Sequence, residues 1–130
     1  MGVSVTSIRA HDQGFVRAAP HEVFRRLDEL STYAEWWPGS KPDAAGIVLP
    51  LAKRLPPASR DRRREGTGLF LRFGDDSLEW YLESFDDGTI VNAFLDIRAD
   101  GSRARAERRV LRMRRALRGG LVGLRRAMTR

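Results

Sequence analysis

A few side chains in this sequence could exchange protons with a substrate, but their positions do not assemble a catalytic set. They are His11, His21, Asp28, Glu79, Tyr81, Glu83 and Asp96. His11 lies in a polar run that predicts a turn and His21 in the first turn of a predicted helix, so we expect both to face solvent. Glu79 and Glu83 alternate with apolar residues and should face away from the core. No pair has metal-ligand spacing and no Ser-His-acid set can be nominated, so we predict no catalytic residue, no metal and no cofactor.

Composition excludes several further kinds of chemistry. The 130 residues include no cysteine, which excludes thiol nucleophiles, disulfides and zinc–thiolate sites and is compatible with the cytoplasm. Gly66-Thr67-Gly68 lacks the Lys-Ser/Thr that follows in a P-loop, so a plain turn is favoured. The N-terminus lacks a signal-peptide pattern, and no apolar run reaches the roughly 18 residues of a membrane span. We expect one domain over residues 1–130, in the cytoplasm.

The positive charge of the chain is concentrated at its end. The formal net charge is +7, yet residues 101–130 alone carry eleven Arg against Glu107, a net of +10. Such an arginine-rich segment is either a solvated helix face or a binding surface for an anionic partner. The sequence has no helix-turn-helix, zinc module or aromatic nucleic-acid motif, so we do not expect nucleic acid as the partner.

The first part of the chain predicts a strand followed by a helix. Residues 3–18 alternate, and their polar interruption predicts a bulge or tight turn near Gly14. Pro20 suits the first position of a helix, where its missing N–H costs nothing. The apolar face of that helix consists of Val23, Phe24, Leu27 and Leu30.

A second short helix is predicted over residues 33–36. Thr32 and Glu35 have the spacing of a capping box, which supports a helix start there. Trp36 and Trp37 at its end have two interpretations. Either they close the mouth of a pocket, or one anchors the helix on the core while the other stays half-exposed.

Four strands are predicted before the final helix. Ile47, Leu49 and Leu51 alternate, whereas residues 60–64 form a basic run that we interpret as solvated. Three antiparallel strands then follow one another between residues 68 and 98. The alternating apolar residues of the first two are Leu69, Leu71, Phe73, Leu78, Trp80 and Leu82.

The remaining residues predict one long helix. Its apolar stripe, at steps of three and four, consists of Val110, Met113, Leu117, Leu121, Leu124 and Met128. Gly119-Gly120 interrupts the pattern at a cost of about 1 kcal/mol per glycine relative to alanine. We therefore predict a bend there, or a close approach of another segment to the helix backbone.

This order of elements predicts an α+β domain, and three segments resemble a known family. The segment AAPHEVFRRLDELSTYAEWWPG, then LEWYLES and DGTIV, then a basic helix with GLVGLRRAM, resemble the START-like superfamily (SRPBCC, birch-pollen-allergen-like), in particular its polyketide cyclase/dehydrase-like branch. The resemblance implies a helix-grip fold, in which a curved antiparallel sheet wraps around a long C-terminal helix. Members carry about six strands between the short helices and the long one, so the four predicted here imply a shortened sheet and a smaller or more open cavity.

The resemblance also implies a pocket between the sheet and the final helix that binds an apolar small molecule such as a lipid or polyketide. The candidate lining residues are Phe24, Leu27, Trp36, Trp37, Leu69, Leu71, Phe73, Leu78, Trp80, Leu82, Asn92, Phe94, Leu117 and Leu121. The alternative is that they pack as a closed core. A cyclase-type enzyme would need a polar group inside, which only Asn92, Asp96 or Arg72 could supply, and we expect binding without catalysis. A shortened sheet would also expose an apolar patch that favours a homodimer.

The position of Asn92 depends on one turn. If Asp86-Asp87-Gly88 is a three-residue turn with a glycine bulge, Leu82 lies opposite Asn92 and the amide faces inward. If the turn has two residues, Val91 and Ala93 face inward and Asn92 is solvated. We favour the three-residue turn because Asp-Asp-Gly suits a type I turn with a bulge.

Overall fold

A five-stranded antiparallel sheet packed against one long helix forms the frame of the protein and confirms the α+β prediction. The computed structural model describes residues 6–51, 56–99 and 101–128, so residues 3–5 of the predicted first strand lie outside the described part. The elements are β1 (Thr6–Val16), α1 (Pro20–Asp28), a 3-10 turn (Leu30–Thr32), α2 (Tyr33–Trp36), β2 (Lys41–Asp43), β3 (Gly46–Val48), β4 (Ser59–Arg64), β5 (Gly68–Phe73), β6 (Asp76–Phe85), β7 (Gly88–Ala99) and α3 (Arg103–Met128). No helix within the described residues is long and apolar enough to cross a membrane.

The sheet has the order β1-β7-β6-β5-β4, and β2 and β3 form a separate hairpin. Six strands therefore separate α2 from α3 within the described part of the chain, and the prediction of four strands with a shortened sheet was wrong. The basic run of residues 60–64 lies in the edge strand β4, in which every residue is exposed and no apolar alternation marks a strand. Charged side chains are typical of edge strands, because they discourage pairing with other chains. Its strand character rests on backbone pairing with β5 instead.

The first strand runs without the bulge predicted near Gly14. The register of β1 with β7 is continuous, and Gly14 lies directly opposite Val91. The polar residues that interrupt the alternation in β1 have roles other than a bulge. Asp12 lies on the face turned toward α3 and accepts a hydrogen bond from Arg118 at 2.6 Å, while His11 lies on the opposite face.

The two short helices occur where the sequence predicts them, but the side-chain hydrogen bonds at the start of α2 differ from the prediction. Pro20 stands at the start of α1 and confirms that prediction. Thr32 and Glu35 do not form a capping box at α2. The Thr32 hydroxyl donates to the Glu29 carbonyl at 2.7 Å, and the Glu35 carboxylate accepts from Arg26 at 3.1 Å.

Glycines in α3 allow the segment after α2 to touch the helix backbone, which confirms the close-approach alternative. A Cβ atom on Gly120 would lie 2.8 Å from the Trp37 ring, and one on Gly123 would lie 1.7 Å from the Trp36 carbonyl oxygen. A Cβ atom on Gly119 would meet nothing within 4 Å. The helix runs continuously over its 26 residues, so the glycines admit the two tryptophans and do not break the helix.

The turn between β6 and β7 has two residues, and the three-residue prediction was wrong. Phe85 pairs with Gly88 and Leu82 lies opposite Val91. Asp86 adopts a left-handed conformation (φ 53°), which aspartate tolerates better than most residues and which closes the shorter turn. As a result, Asn92 and Phe94 lie on the face of the sheet opposite α3, which we call the outer face.

Candidate functional site

Twelve of the predicted lining residues lie on the inner side, between the inner face of the sheet, the short helices and α3. They are Phe24, Leu27, Trp36, Trp37, Leu69, Leu71, Phe73, Leu78, Trp80, Leu82, Leu117 and Leu121, each less than a tenth exposed. All belong to one cluster of packed apolar side chains. The structure therefore brings these residues together, and their role in binding a ligand stays a prediction.

Four aromatic side chains fill the inner space beside α2. The ring of Trp36 lies 4.5 Å from that of Tyr33, 5.9 Å from that of Trp37 and 6.2 Å from that of Trp80, measured between centroids. Trp36 and Trp37 are only 3% and 1% exposed, so the expectation that one of them stays half-exposed was wrong. Both rings close the interior beside α3, where Gly120 leaves room for the Trp37 ring and Gly123 for the Trp36 carbonyl oxygen.

Hydrogen-bonding atoms inside this cluster are few, and two of them, the indole N–H groups of Trp36 and Trp80, lack a partner among the described residues. The Tyr33 hydroxyl donates to the Leu27 carbonyl at 2.7 Å, and burial raises the pKa of Tyr33 well above its ordinary value. The nearby Trp80 side chain acts on that pKa in the opposite direction, but less than burial does. The indole N–H of Trp80 does not have the geometry of a hydrogen bond. The buried indole N–H of Trp36 has no partner among the described residues.

The polar residues nominated for chemistry inside the pocket all lie elsewhere. Asn92 is 7% exposed on the outer face, where its amide oxygen accepts from His11 Nε2 at 3.3 Å and its amide nitrogen donates to Glu83 at 3.1 Å. Asn92 therefore neither faces the interior nor is solvated, and both predicted positions of its amide were wrong. Asp96 pairs with Arg9 at 3.5 Å and Arg72 pairs with Asp61 at 3.5 Å, also away from the interior.

The remaining acid–base candidates lie at the surface or its edge. Glu79 and Glu83 lie on the outer face, as predicted, and His21 is exposed. His11 is exposed as expected but lies in the middle of β1 and not in a turn, with its ring stacked 4.3 Å from that of Phe94. Asp28 lies at the end of α1, where Arg60 and Arg63 pair with it at 3.3 and 3.0 Å. Within the described residues, no group of three or more His, Asp or Glu could hold a metal ion.

Sequence reasoning missed two features of this region. The His11–Asn92–Glu83 chain of hydrogen bonds depends on the turn length between β6 and β7, which composition left open. The buried hydroxyl of Tyr33 could have been found, because Tyr33 precedes Trp36 by three residues and so lies on the same face of a short helix.

Comparisons with known proteins now identify the class of fold. No protein-family model matches the sequence, and no curated protein matches it. Among solved structures, the KanY protein superposes with a TM-score of 0.72 at 17% identity over 98% of this chain and 99% of that one. The aromatase/cyclase Zhui from Streptomyces sp. R1128 gives 0.71 at 14% identity over 95% and 94%. A START superfamily protein from Mycobacterium smegmatis gives 0.70 at 12% identity over 93% and 99%.

The chain therefore has the START-like helix-grip fold, as the sequence resemblance implied. The identities are low, so the likeness shows the fold alone.

Proposed function

We propose that the protein binds an apolar small molecule, such as a lipid or polyketide, that places a carbonyl oxygen against Trp36 in the space between the inner face and α3. The observation that carries the proposal is the unpartnered indole N–H of Trp36, which is buried in the aromatic cluster beside a second unpartnered indole N–H, that of Trp80. An unsatisfied buried donor costs about 1–3 kcal/mol. Folded proteins rarely keep such donors without a use, and a ligand oxygen would satisfy this one.

Entry of such a ligand requires the aromatic cluster to open, because the inner side chains pack against one another. The segment best placed to move is α2 with Trp37, since α2 has only four residues. Its contact with α3 includes Gly120 and Gly123, which carry no side chain that would hold the segment in place. Displacing this segment from Gly120 and Gly123 would expose Trp36 and Trp80 together. Trp36 and Trp37 would then close one end of the pocket, which is one of the two interpretations that the sequence offers for this pair.

Binding without turnover is the form of the proposal that the inner residues favour. A cyclase of the kind named among the structural neighbours remains the alternative, and general acid–base catalysis would require a titratable group facing the ligand. Tyr33 is buried beside the cluster, but it already donates its proton to the Leu27 carbonyl. Because burial raises its pKa, Tyr33 stays protonated at neutral pH and cannot act as a base.

A matched pair of probes tests the proposal. Tetralone and tetralin share a ring system and differ by one carbonyl, so only tetralone can accept from Trp36. We expect tetralone to raise the thermal midpoint of the protein and to change tryptophan emission. A ligand at a hundredfold excess over its Kd stabilises by about 2.7 kcal/mol.

Two variants separate the carbonyl contact from general apolar binding. Trp36→Phe keeps an aromatic ring without the N–H and should weaken tetralone about tenfold while leaving tetralin unchanged. Trp37→Phe is the control, since Trp37 is not among the buried donors that lack a partner. Equal binding of the two probes by wild type, or no binding of either, would overturn the proposal.

A second candidate function concerns the arginine surface of α3. Arg105, Arg108, Arg109 and Arg112 line a groove of about 390 Å³, and none of them has an ion-pair partner among the described residues. Such a group suits an anionic partner. Affinity for heparin that falls steeply between low and moderate salt would support this function, and absence of binding at low salt would remove it.

A further inference from the structure

The outer face of the sheet carries a groove that the proposed function does not use. We define the outer groove by Arg62, Arg64, Gly68, Phe70, Tyr81 and Asn92, and its volume is about 660 Å³. Small-molecule sites commonly measure about 300–1,000 Å³ and combine apolar walls with a few polar groups. The side chains of this groove point away from the inner cluster, because Asn92, Tyr81 and Gly68 form one cross-strand row on the outer face.

The shape of the outer groove follows from a missing side chain. Gly68 lies between Tyr81 on β6 and Arg64 on β4, so this row has a gap where its neighbours carry large side chains. A Cβ atom there would meet Tyr81 at 3.7 Å, which is ordinary contact, so the glycine is not required by packing. Tyr81 is 47% exposed, which leaves its ring available to stack on a ligand.

A second wall of the outer groove is flat and cationic. The Arg62 guanidinium lies 4.6 Å from the centroid of the Phe70 ring, and Arg72 lies 5.5 Å from the same centroid. Asp61 pairs with both arginines at 3.8 and 3.5 Å. Aromatic rings and stacked guanidinium groups together favour planar ligands.

The charges of the outer groove indicate a ligand with a single negative group. Arg64 has no ion-pair partner among the described residues, whereas Glu79 pairs with Arg9 at 3.8 Å and Glu83 accepts from Asn92. Two carboxylates in the lining would repel a chain of phosphates, so a nucleic acid does not fit. We propose that the outer groove binds a planar aromatic molecule that carries one anionic group, with its ring on Tyr81 over Gly68 and its charge at Arg64.

Naphthoate tests this assignment, with neutral naphthylmethanol as its matched control. Titration followed by amide NMR should shift the signals of Gly68, Phe70 and Tyr81, and naphthylmethanol should bind about tenfold more weakly because it lacks the charge. Arg64→Gln should weaken naphthoate about tenfold. Arg25→Gln on α1 changes the charge equally at an exposed residue outside the outer groove and should have no effect. Gly68→Val fills the gap with a residue that strands favour and should abolish binding.

Three results would overturn the assignment. One is naphthoate shifts at inner residues such as Trp36 and Leu117 in place of the outer ones, which would move the ligand to the interior. Another is the absence of saturable shifts up to millimolar naphthoate. The third is a concentration-dependent dimer that Tyr81→Ala dissociates, which would show that a second copy covers the groove. None of these results decides the tetralone test, which compares a carbonyl probe with its hydrocarbon at Trp36, so the two proposals can fail separately.

Discussion

Adjacent residues on β6 show how differently the two faces of this sheet use aromatic rings. Trp80 on the inner face is fully buried, with the rings of Trp36 and Trp37 about 6 Å away, whereas Tyr81 on the outer face is 47% exposed. The inner rings pack against one another and against a helix. The outer rings are flanked by arginines and border an open groove. The comparison teaches that aromatic content alone does not locate a binding site, because the same strand supplies both a closed core and an open surface.

The largest expected effect comes from truncating one residue on each face. Trp80→Ala should lower the free energy of unfolding by about 3–5 kcal/mol, because it removes a large side chain from a packed core. Tyr81→Ala should change it by less than about 1 kcal/mol, since its ring is half exposed. Chemical denaturation of both variants measures the difference. Equal losses would show that the two faces are not packed as differently as described.

The glycines of α3 test how tightly the inner face is closed. Gly123→Ala places a methyl group against the Trp36 carbonyl and should cost about 1–3 kcal/mol or more, as overpacking does. Gly119→Ala has open space around it and should stabilise by up to about 1 kcal/mol, because alanine is the better helix former. Thermal unfolding compares the two. If Gly123→Ala left the free energy of unfolding unchanged, the close contact between the Trp36 carbonyl and α3 would be contradicted.

The buried tyrosine makes the stability of the inner face depend on alkaline pH. Because burial raises the pKa of Tyr33 above the ordinary value of 10.0, the unfolded chain loses this proton first as the pH rises. The free energy of unfolding should therefore fall above pH 10, by up to about 1.4 kcal/mol per pH unit from this group. Below that pH its contribution is fully present.

The two tyrosines of the chain supply the matched variants for this measurement. Tyr33→Phe should flatten the alkaline loss of stability, at a cost of about 1 kcal/mol at neutral pH for the lost hydrogen bond to Leu27. Tyr81→Phe should leave the slope as in wild type. Identical slopes in wild type and Tyr33→Phe would contradict the burial of that hydroxyl.

The same comparison explains which features the sequence could predict. The inner face was predictable because Leu78, Trp80 and Leu82 alternate strictly, and because Pro20 and the apolar steps of α1 and α3 fix the helices. The edge strand β4 could not be predicted, because an exposed, charged strand shows no apolar alternation and depends on backbone pairing with β5.

The candidate sites were predictable only in part. Twelve predicted lining residues lie together on the inner side, and ten of them were predicted from alternation and helical spacing. Asn92 and Phe94 were misplaced, because a one-residue difference in the turn after β6 moves every following side chain of β7 to the other face. The unpartnered N–H of Trp36 and the gap over Gly68 arise from tertiary packing and cross-strand pairing, which no local pattern contains.

The proposal that Trp36 receives a ligand oxygen is tested most directly by the NMR signal of its indole N–H. Titration with tetralone should shift this signal progressively to saturation, because the N–H gains a hydrogen bond, while tetralin at equal occupancy should shift it far less. An indole signal of Trp36 that stays unmoved at saturating tetralone would contradict binding between the sheet and α3.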